Sequence, residues 1–186
     1  MYLFGYGSLI NLASAQKSFK RVLTQNDLKP VKIKGYERVW NAIESIAFEE
    51  EIVNGVFLNI QKNKDSILDG VVIEISNEEL EVLKLREKNY SCIVIKRADV
   101  LDETINSDLI AFMTTNKEKI AFIGQKDSFI PKKYVEVVKE ALKNYDEDFK
   151  KGFEKTFENY PFPLKEGFYT FTDPIQNKVA REGIKN

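Results

Sequence analysis

The first nine residues, Met-Tyr-Leu-Phe-Gly-Tyr-Gly-Ser-Leu, constrain the fold of this chain more than any other segment. The stretch Tyr2–Tyr6 is short, apolar and aromatic, which is typical of a buried β-strand. Gly5 and Gly7 predict a sharp loop, because glycine adopts backbone angles closed to other residues. Such a loop can point successive N–H groups at one spot and form a nest for an anion or a developing oxyanion. The alternative is an ordinary strand-to-helix turn, and the motif alone leaves both interpretations open.

Several classes of function are excluded by what the chain lacks. There is no histidine and only one cysteine, Cys92, so Ser-His-Asp and Cys-His mechanisms, disulfides and the usual metal sites are not expected. The opening loop lacks the third glycine of a dinucleotide fingerprint and the Gly-Lys-Ser/Thr of a P-loop. A net charge of -1 gives no broad attraction to nucleic acid or to an anionic membrane. Without a signal-peptide pattern or a long apolar run, we expect a cytoplasmic protein.

The remaining pattern predicts one mixed α/β or α+β domain over residues 1–175. Ser14 is expected to cap a short helix over about 15–23, and Gly35 to bend a strand. The charged segment Gln61–Asp69 is predicted to be a turn, and the polar tail 176–186 is expected to fray. Strands are predicted over 31–40, 52–60, 70–75, 93–100 and 109–115.

Two helical regions have clear signals. Ser76 and Glu79 form a capping-box pattern, so a helix is predicted from there to about Lys88. Pro131 suits the first position of a later helix. Two apolar stripes at helical spacing then predict core-facing helices: Val135, Val138, Leu142 and Tyr145, followed by Phe149, Phe153 and Phe157.

Glu87 is the carboxylate in an unexpected place. Leu80, Leu83 and Glu87 are spaced to share one helix face, which directs the glutamate toward the core. Burial would raise its pKa toward the range of a general acid–base. The alternatives are an ion pair with a nearby lysine or arginine, or a helix that ends before Glu87. Arg86 lies about 100° round the helix and is not expected to be its buried partner. Tyr90 either supplies a hydroxyl to a polar pocket or begins a half-buried strand.

Five segments, in this order, resemble the γ-glutamylcyclotransferase-like superfamily, which includes glutathione-specific and γ-glutamylamine cyclotransferases. The segments are Tyr2–Ile10, Gly35–Trp40, Gly70–Ile75, Leu85–Tyr90 and Ser128–Leu142. The chain departs from the family in two places. Many relatives have a glycine and a longer spacing between the Glu and Tyr that here are Glu87 and Tyr90, and many have a basic residue where this chain has Cys92.

The resemblance implies an α+β fold: a small mixed β-barrel flanked by helices, with a helical C-terminal part. It also implies a reaction in which the substrate's α-amine attacks its own γ-carbonyl and releases 5-oxoproline, with no cofactor or metal. Glu87 would be the general acid/base. Substrate contacts would come from Tyr6, Gly7, Ser8, Leu9, Arg38, Tyr90 and Tyr134.

Some alternatives stay open at this point. Arg38 either meets a substrate carboxylate or is a surface residue. The fold could also serve as a non-catalytic module that binds a small ligand, or as a different transferase or lyase acting on a γ-glutamyl-tagged intermediate. The expected partner is a small γ-glutamyl compound, and the expected state is a monomer or a homodimer.

Overall fold

The computed structural model describes residues 1–184 of the chain. Its strands are Tyr2–Gly5 (β1), Lys29–Phe48 (β2), Glu51–Glu74 (β3), Ser91–Ile95 (β4), Leu109–Met113 (β5), Ser128–Pro131 (β6), Leu164–Lys165 (β7) and Tyr169–Phe171 (β8). Its α-helices are Leu12–Gln16 (α1), Asn77–Arg86 (α2), Lys132–Leu142 (α3), Glu147–Phe157 (α4) and Pro174–Asn177 (α5). A 3₁₀ turn, Ser8–Ile10, follows β1, and a π-helical turn, Lys178–Glu182, follows α5.

The strands form one mixed sheet that curls back on itself. Its order is β4-β5-β1-β3-β2-β8, with β1 antiparallel to β3 and parallel to β5. The edge of β2 that does not pair with β3 contacts the segments that follow β4 and β5. These contacts are isolated β-bridges between Ile33 and Val100 and between Ala42 and Ile120. The predicted α+β fold, a small mixed barrel with flanking helices, is therefore confirmed.

The two longest strands correct the predicted strand boundaries. β3 continues on both sides of this segment, but residues 63–66 have no partner on β2, where only Gly35 lies opposite them. The predicted turn between two strands is therefore wrong, and a bulge within one long strand takes its place. Polar residues suit this part of β3 because it is largely exposed and pairs with β2, where Glu37 accepts hydrogen bonds from Gln61 and Asn63. The bend at Gly35 is present: its φ is 82°, and the register shifts between Lys34 and Tyr36.

The first helix is shorter than predicted and has a different cap. Asn11, not Ser14, is the N-cap, and its side chain accepts a hydrogen bond from the Ser14 amide. The helix ends at Gln16, and the side-chain amide of that residue forms hydrogen bonds with the backbone groups that follow the helix. It donates to the carbonyls of Phe19 and Arg21 and accepts from the amide of Leu23.

Both predicted apolar stripes are confirmed as core, with every member buried. Helix α4 packs its three phenylalanines against the sheet, and Trp40 on β2 donates a hydrogen bond to the Phe157 carbonyl. Helix α3 begins after Pro131, which is its N-cap residue. The hydroxyl of Tyr145 donates to the carbonyl of Ile10, which ties these helices to the loop after β1.

The C-terminal segment does not fray as expected. Gln176 and Val179 are buried, and the amide of Ile184 donates to the carbonyl of Lys17. The segment packs against α2 and β8 and is tied by one hydrogen bond to the end of α1, although its sequence is largely polar. The last two residues of the predicted tail, 185 and 186, lie outside the described residues.

Candidate active site

The backbone amides of the loop after β1 take no part in the sheet or in a helix, and that of Ser8 lies against the Tyr134 hydroxyl. The amides of Tyr6, Gly7, Ser8 and Leu9 donate to no backbone carbonyl within residues 1–184. Neither Gly5 nor Gly7 has a positive φ, so backbone angles do not explain these glycines. At Gly7 the reason is steric, because there is no room for a side chain. A Cβ atom there would lie 2.7 Å from the Tyr134 hydroxyl oxygen. The loop can therefore approach Tyr134 closely only with glycine at position 7.

Side-chain hydrogen bonds to three other elements, β5, β2 and α3, hold this loop in place. The Tyr6 hydroxyl donates to the Phe112 carbonyl over 2.6 Å, and Arg38 Nε donates to the Tyr6 carbonyl over 2.8 Å. Asn11 Nδ2 donates to the Val137 carbonyl on α3 over 2.9 Å. The loop donors are thus positioned before any ligand binds, which is what a preorganised anion site requires.

Glu87 lies at the C-cap of α2, immediately after the helix ends at Arg86. Its amide still donates to the Leu83 carbonyl, but its ψ of 35° takes the chain out of the helix. Its side chain is 20% exposed, and Arg86 Nε lies 3.0 Å from Oε1. Burial raises the pKa of Glu87, while the charge and the hydrogen bond of Arg86 oppose that rise. Both alternatives considered for this residue, the early helix end and the ion pair, are therefore found.

The prediction that Arg86 is not the partner of Glu87 is wrong. The 100° separation applies only between residues that are both helical, and Glu87 is not. The Arg86 guanidinium is buried and also donates to the Ser14 carbonyl and to the hydroxyls of Ser8, Ser14 and Ser18. One side chain therefore connects the carboxylate, the loop after β1 and helix α1.

Two adjoining cavities meet at Glu87. The inner pocket has a volume of about 40 Å³ and is formed by the loop after β1. The outer cavity has a volume of about 450 Å³, within the usual size range of small-molecule sites. Both are lined by Ser8, Glu87, Tyr90 and Tyr134. A compound bound across the junction would contact the loop, the carboxylate and both tyrosines.

Three phenols surround the inner pocket. Tyr6 and Tyr134 are buried, and Tyr90 is half-buried with its hydroxyl donating to the Leu58 carbonyl over 3.1 Å. Burial raises the pKa of all three hydroxyls, and the nearby Glu87 charge adds to the rise. They therefore stay protonated at neutral pH and are available as neutral hydrogen-bonding groups. Tyr90 also directly precedes β4, as the alternative interpretation of this residue required.

The fold has clear relatives among solved structures. No protein-family model matches the chain, and no curated protein matches it. A γ-glutamyl cyclotransferase structure superimposes with a TM-score of 0.63 at 12% identity, covering 96% of this chain and 97% of the other. This chain has the γ-glutamyl cyclotransferase fold.

Two further structures share the γ-glutamyl cyclotransferase fold with this chain. YkqA from Bacillus subtilis has a TM-score of 0.64 at 19% identity over 89% of this chain, which spans only 56% of YkqA. A γ-glutamyl cyclotransferase from yeast specific to glutathione has a TM-score of 0.51 at 16% identity, over 86% of this chain and 96% of the other.

Arg38 is the one predicted site residue that the γ-glutamyl cyclotransferase fold places elsewhere. It is buried, so the prediction of a surface residue is wrong, and it lines neither cavity. Besides the Tyr6 carbonyl, its guanidinium donates to the carbonyls of Asp69 and Phe153 and to the Thr156 hydroxyl. These bonds use four of the five N–H donors of Arg38 within the protein, and they make it a support of the loop. The other seven predicted residues all line the inner pocket.

Glu44 on β2 was missed. It is 2% exposed and lines the outer cavity. The sequence pattern could have identified this residue, because Ala42, Glu44 and Ile46 lie on the same face of the strand. Ala42 and Ile46 are apolar and fully buried, so Glu44 lies on the buried face. The argument that singled out Glu87 on its helix, applied with a period of two, selects Glu44 as well.

No set of three or more His, Cys, Asp or Glu side chains within residues 1–184 is arranged to hold a metal ion. Among the same residues, no helix is long and apolar enough to cross a bilayer.

Proposed function

We propose that this chain is a γ-glutamyl cyclotransferase that releases 5-oxoproline from a γ-glutamyl amide. The observation that carries the proposal is the position of Glu87. It is a largely buried carboxylate with a raised pKa, and it lines both the pocket formed by the loop after β1 and a cavity large enough for a leaving group.

The reaction needs no nucleophile from the protein. The substrate's α-amine nitrogen forms a bond to its own γ-carbon, and the bond from that carbon to the leaving nitrogen breaks. One proton leaves the attacking amine, and one is added to the departing nitrogen. Glu87 would accept the first and deliver the second, which is the task of a carboxyl whose pKa has been raised toward neutrality. The absence of histidine and the lone Cys92 are compatible with such chemistry.

The inner pocket would hold the glutamyl end of the substrate. The amides of Tyr6 to Leu9 would bind its α-carboxylate or the oxyanion that develops on the γ-carbonyl. Tyr90 and Tyr134 would position the chain so that amine and carbonyl face each other, which supplies the proximity that ring closure requires. The amine or amino acid that leaves would occupy the outer cavity.

The similar structures support this proposal at the level of fold. One is a γ-glutamyl cyclotransferase and one is a γ-glutamyl cyclotransferase specific to glutathione. At 12% and 16% identity, these structures do not identify the substrate of this chain. The proposal for the leaving group must therefore come from the outer cavity itself.

The test is a substrate panel of glutathione, γ-glutamyl dipeptides and γ-glutamyl amines, with 5-oxoproline as the measured product. We expect turnover of at least one class, and a loss of about 10²–10⁴-fold in kcat for Glu87→Gln. The matched control is Glu81→Gln, which makes the same chemical change on the exposed face of α2. A folded protein that binds these compounds without producing 5-oxoproline would instead be a small-ligand-binding module.

A further inference from the structure

Glu44 is a buried carboxyl that no other residue neutralises. Its side chain forms no salt bridge within the described residues, and Oε1 has no hydrogen-bond donor there. Oε2 accepts a hydrogen bond from Asn89 Nδ2 over 2.5 Å. Carboxyl groups are rarely buried without a charged or fully hydrogen-bonded partner. Glu44 therefore lacks the partners expected of a structural carboxylate.

The surroundings of Glu44 bring its pKa close to neutral pH, where both protonation states are populated. Burial raises the pKa of Glu44 to about 7; the hydrogen bond of Asn89, the neighbouring Gln176 side chain and the charge of Lys119 oppose the rise, and the charge of Glu87 adds to it. A cation that arrived in the cavity would favour the charged form.

Glu44 and Glu87 lie on different parts of the site. Glu87 lines both cavities, whereas Glu44 lines only the outer one. A γ-glutamyl compound with its reacting carbonyl at Glu87 and its glutamyl end in the inner pocket would direct its leaving group into the outer cavity. Glu44 thus lies on the leaving-group side of the carbonyl.

We propose that Glu44 selects the leaving group, because its unpaired carboxylate oxygen binds an ammonium carried by the departing amine. This inference rests on the proposed function and extends it to a substrate class, the γ-glutamyl derivatives of diamines and related cationic amines. Asn89, between Glu87 and Tyr90, is a positioning residue that holds Glu44 toward the cavity.

Other charges on the outer cavity do not replace Glu44. Two acids of α3 that line it, Glu136 and Glu140, are exposed and paired with Lys133 and Lys143. The cavity is also lined by two partly exposed cations, Lys17 and Arg181. Among the charged residues that line the cavity, Glu44 is the buried acid with an oxygen that lacks a donor.

The experiment compares matched pairs of substrates. Each pair has a γ-glutamyl monoamide of an α,ω-diamine with two to five carbons and an n-alkylamide in which a methyl group replaces the ammonium. For the preferred diamine we expect kcat/KM to exceed that of its isostere by roughly ten- to hundredfold, the range of a charge-assisted hydrogen bond. Glu44→Gln should bring this ratio close to one, whereas Glu81→Gln should leave it unchanged.

The pH dependence of the same ratio distinguishes a specific contact from general damage. The anionic form of Glu44 binds the cation, so the ratio should rise as the pH increases through about 7. Asn89→Ala removes an interaction that lowers the pKa of Glu44, so its ratio should rise at a higher pH. The titration of Glu87 as acid/base affects the turnover of both members of a pair, and its charge enters the ratio only by shifting the pKa of Glu44.

Measurements of binding affinity distinguish a failure of this inference from a failure of the proposed function. If no compound is turned over, the proposed function fails, and calorimetric affinities of each pair for the protein still test Glu44. A preference for the cation that Glu44→Gln abolishes supports the inference. Equal ratios in the wild-type protein and in Glu44→Gln, by turnover or by binding, would overturn it.

Discussion

Arg86 Nε lies 3.0 Å from Oε1 of Glu87, its neighbour in the sequence. The same guanidinium donates to the hydroxyls of Ser8 on the loop and Ser14 on α1. The orientation of the proposed acid/base and the position of the loop therefore depend on one side chain. Since Arg86 lowers the pKa that burial raises in Glu87, it also sets the pH range in which that carboxylate can act as a base.

The first prediction concerns this control of pKa. Arg86→Gln removes the opposing charge, so the pKa of Glu87 rises. Because the deprotonated carboxylate is the base, the acidic limb of the pH profile of kcat/KM should move to higher pH. Loss of the buried partner should also lower the free energy of unfolding by about 3–5 kcal/mol.

A milder substitution separates the two effects. Ser18→Ala removes one acceptor of Arg86 but leaves its contact with Glu87. We expect lower stability in urea with an unchanged pH profile. An Arg86→Gln enzyme that retains the wild-type acidic limb would show that Arg86 does not tune Glu87.

The second prediction tests the close approach at Gly7. Gly7→Ala places a methyl group 2.7 Å from the Tyr134 hydroxyl oxygen, so the loop or the ring must move. We expect a loss of about 1–3 kcal/mol in the free energy of unfolding, as for overpacked sites. Denaturant melts of the alanine variant should show the change as a lower midpoint.

A double-mutant cycle assigns the cause of that loss. Tyr134→Phe removes the oxygen, so part of the stability should return when the two substitutions are combined. Strictly additive losses would mean that the methyl group collides with something other than the hydroxyl.

The third prediction distinguishes support of the loop from contact with substrate. Arg38→Lys loses most of the hydrogen bonds to the carbonyls of Tyr6, Phe153 and Asp69, and it should cost about 1.5–3 kcal/mol of stability. KM for a substrate that is turned over should change little. An unchanged thermal midpoint with KM raised about tenfold, the equivalent of 1.4 kcal/mol, would point instead to direct contact with a substrate carboxylate.

Sequence reasoning succeeded where the signal was local. The capping box at Ser76 begins α2, and both apolar stripes in the later helices are buried. Helical periodicity and caps depend on neighbours within two turns, so a single sequence contains the necessary information.

Sequence reasoning failed where a partner distant in the sequence determines the local structure. The polar segment Gln61–Asp69 belongs to β3 because β2, about 30 residues earlier, pairs with both ends of it, on either side of the bulge at 63–66. Arg38 is buried because carbonyls on β3 and α4 accept its donors. Neither partner can be identified from the local pattern, which in both cases resembles an exposed segment.

The fourth prediction links the stability of the protein to Glu44. Burial raises the pKa of Glu44 in the folded protein to about 7, from an ordinary value of 4.5. Between these two values the unfolded chain releases the proton while the folded protein keeps it. The free energy of unfolding should therefore fall as the pH rises through this window, by up to about 3 kcal/mol at 1.36 kcal/mol per pKa unit.

Glu44→Gln removes that titration, so it should stabilise the protein at pH 8 relative to wild type and give little or no such gain at pH 4. The measurement is urea unfolding of both proteins at the two pH values, with Glu81→Gln as the exposed control. Repeating it with Glu87→Gln in both proteins removes the mutual influence of the two carboxyls. A stability difference that is the same at pH 4 and pH 8 would contradict the raised pKa. A gain only at high pH would show that the fold tolerates a costly buried carboxyl, as expected if Glu44 serves binding and not stability.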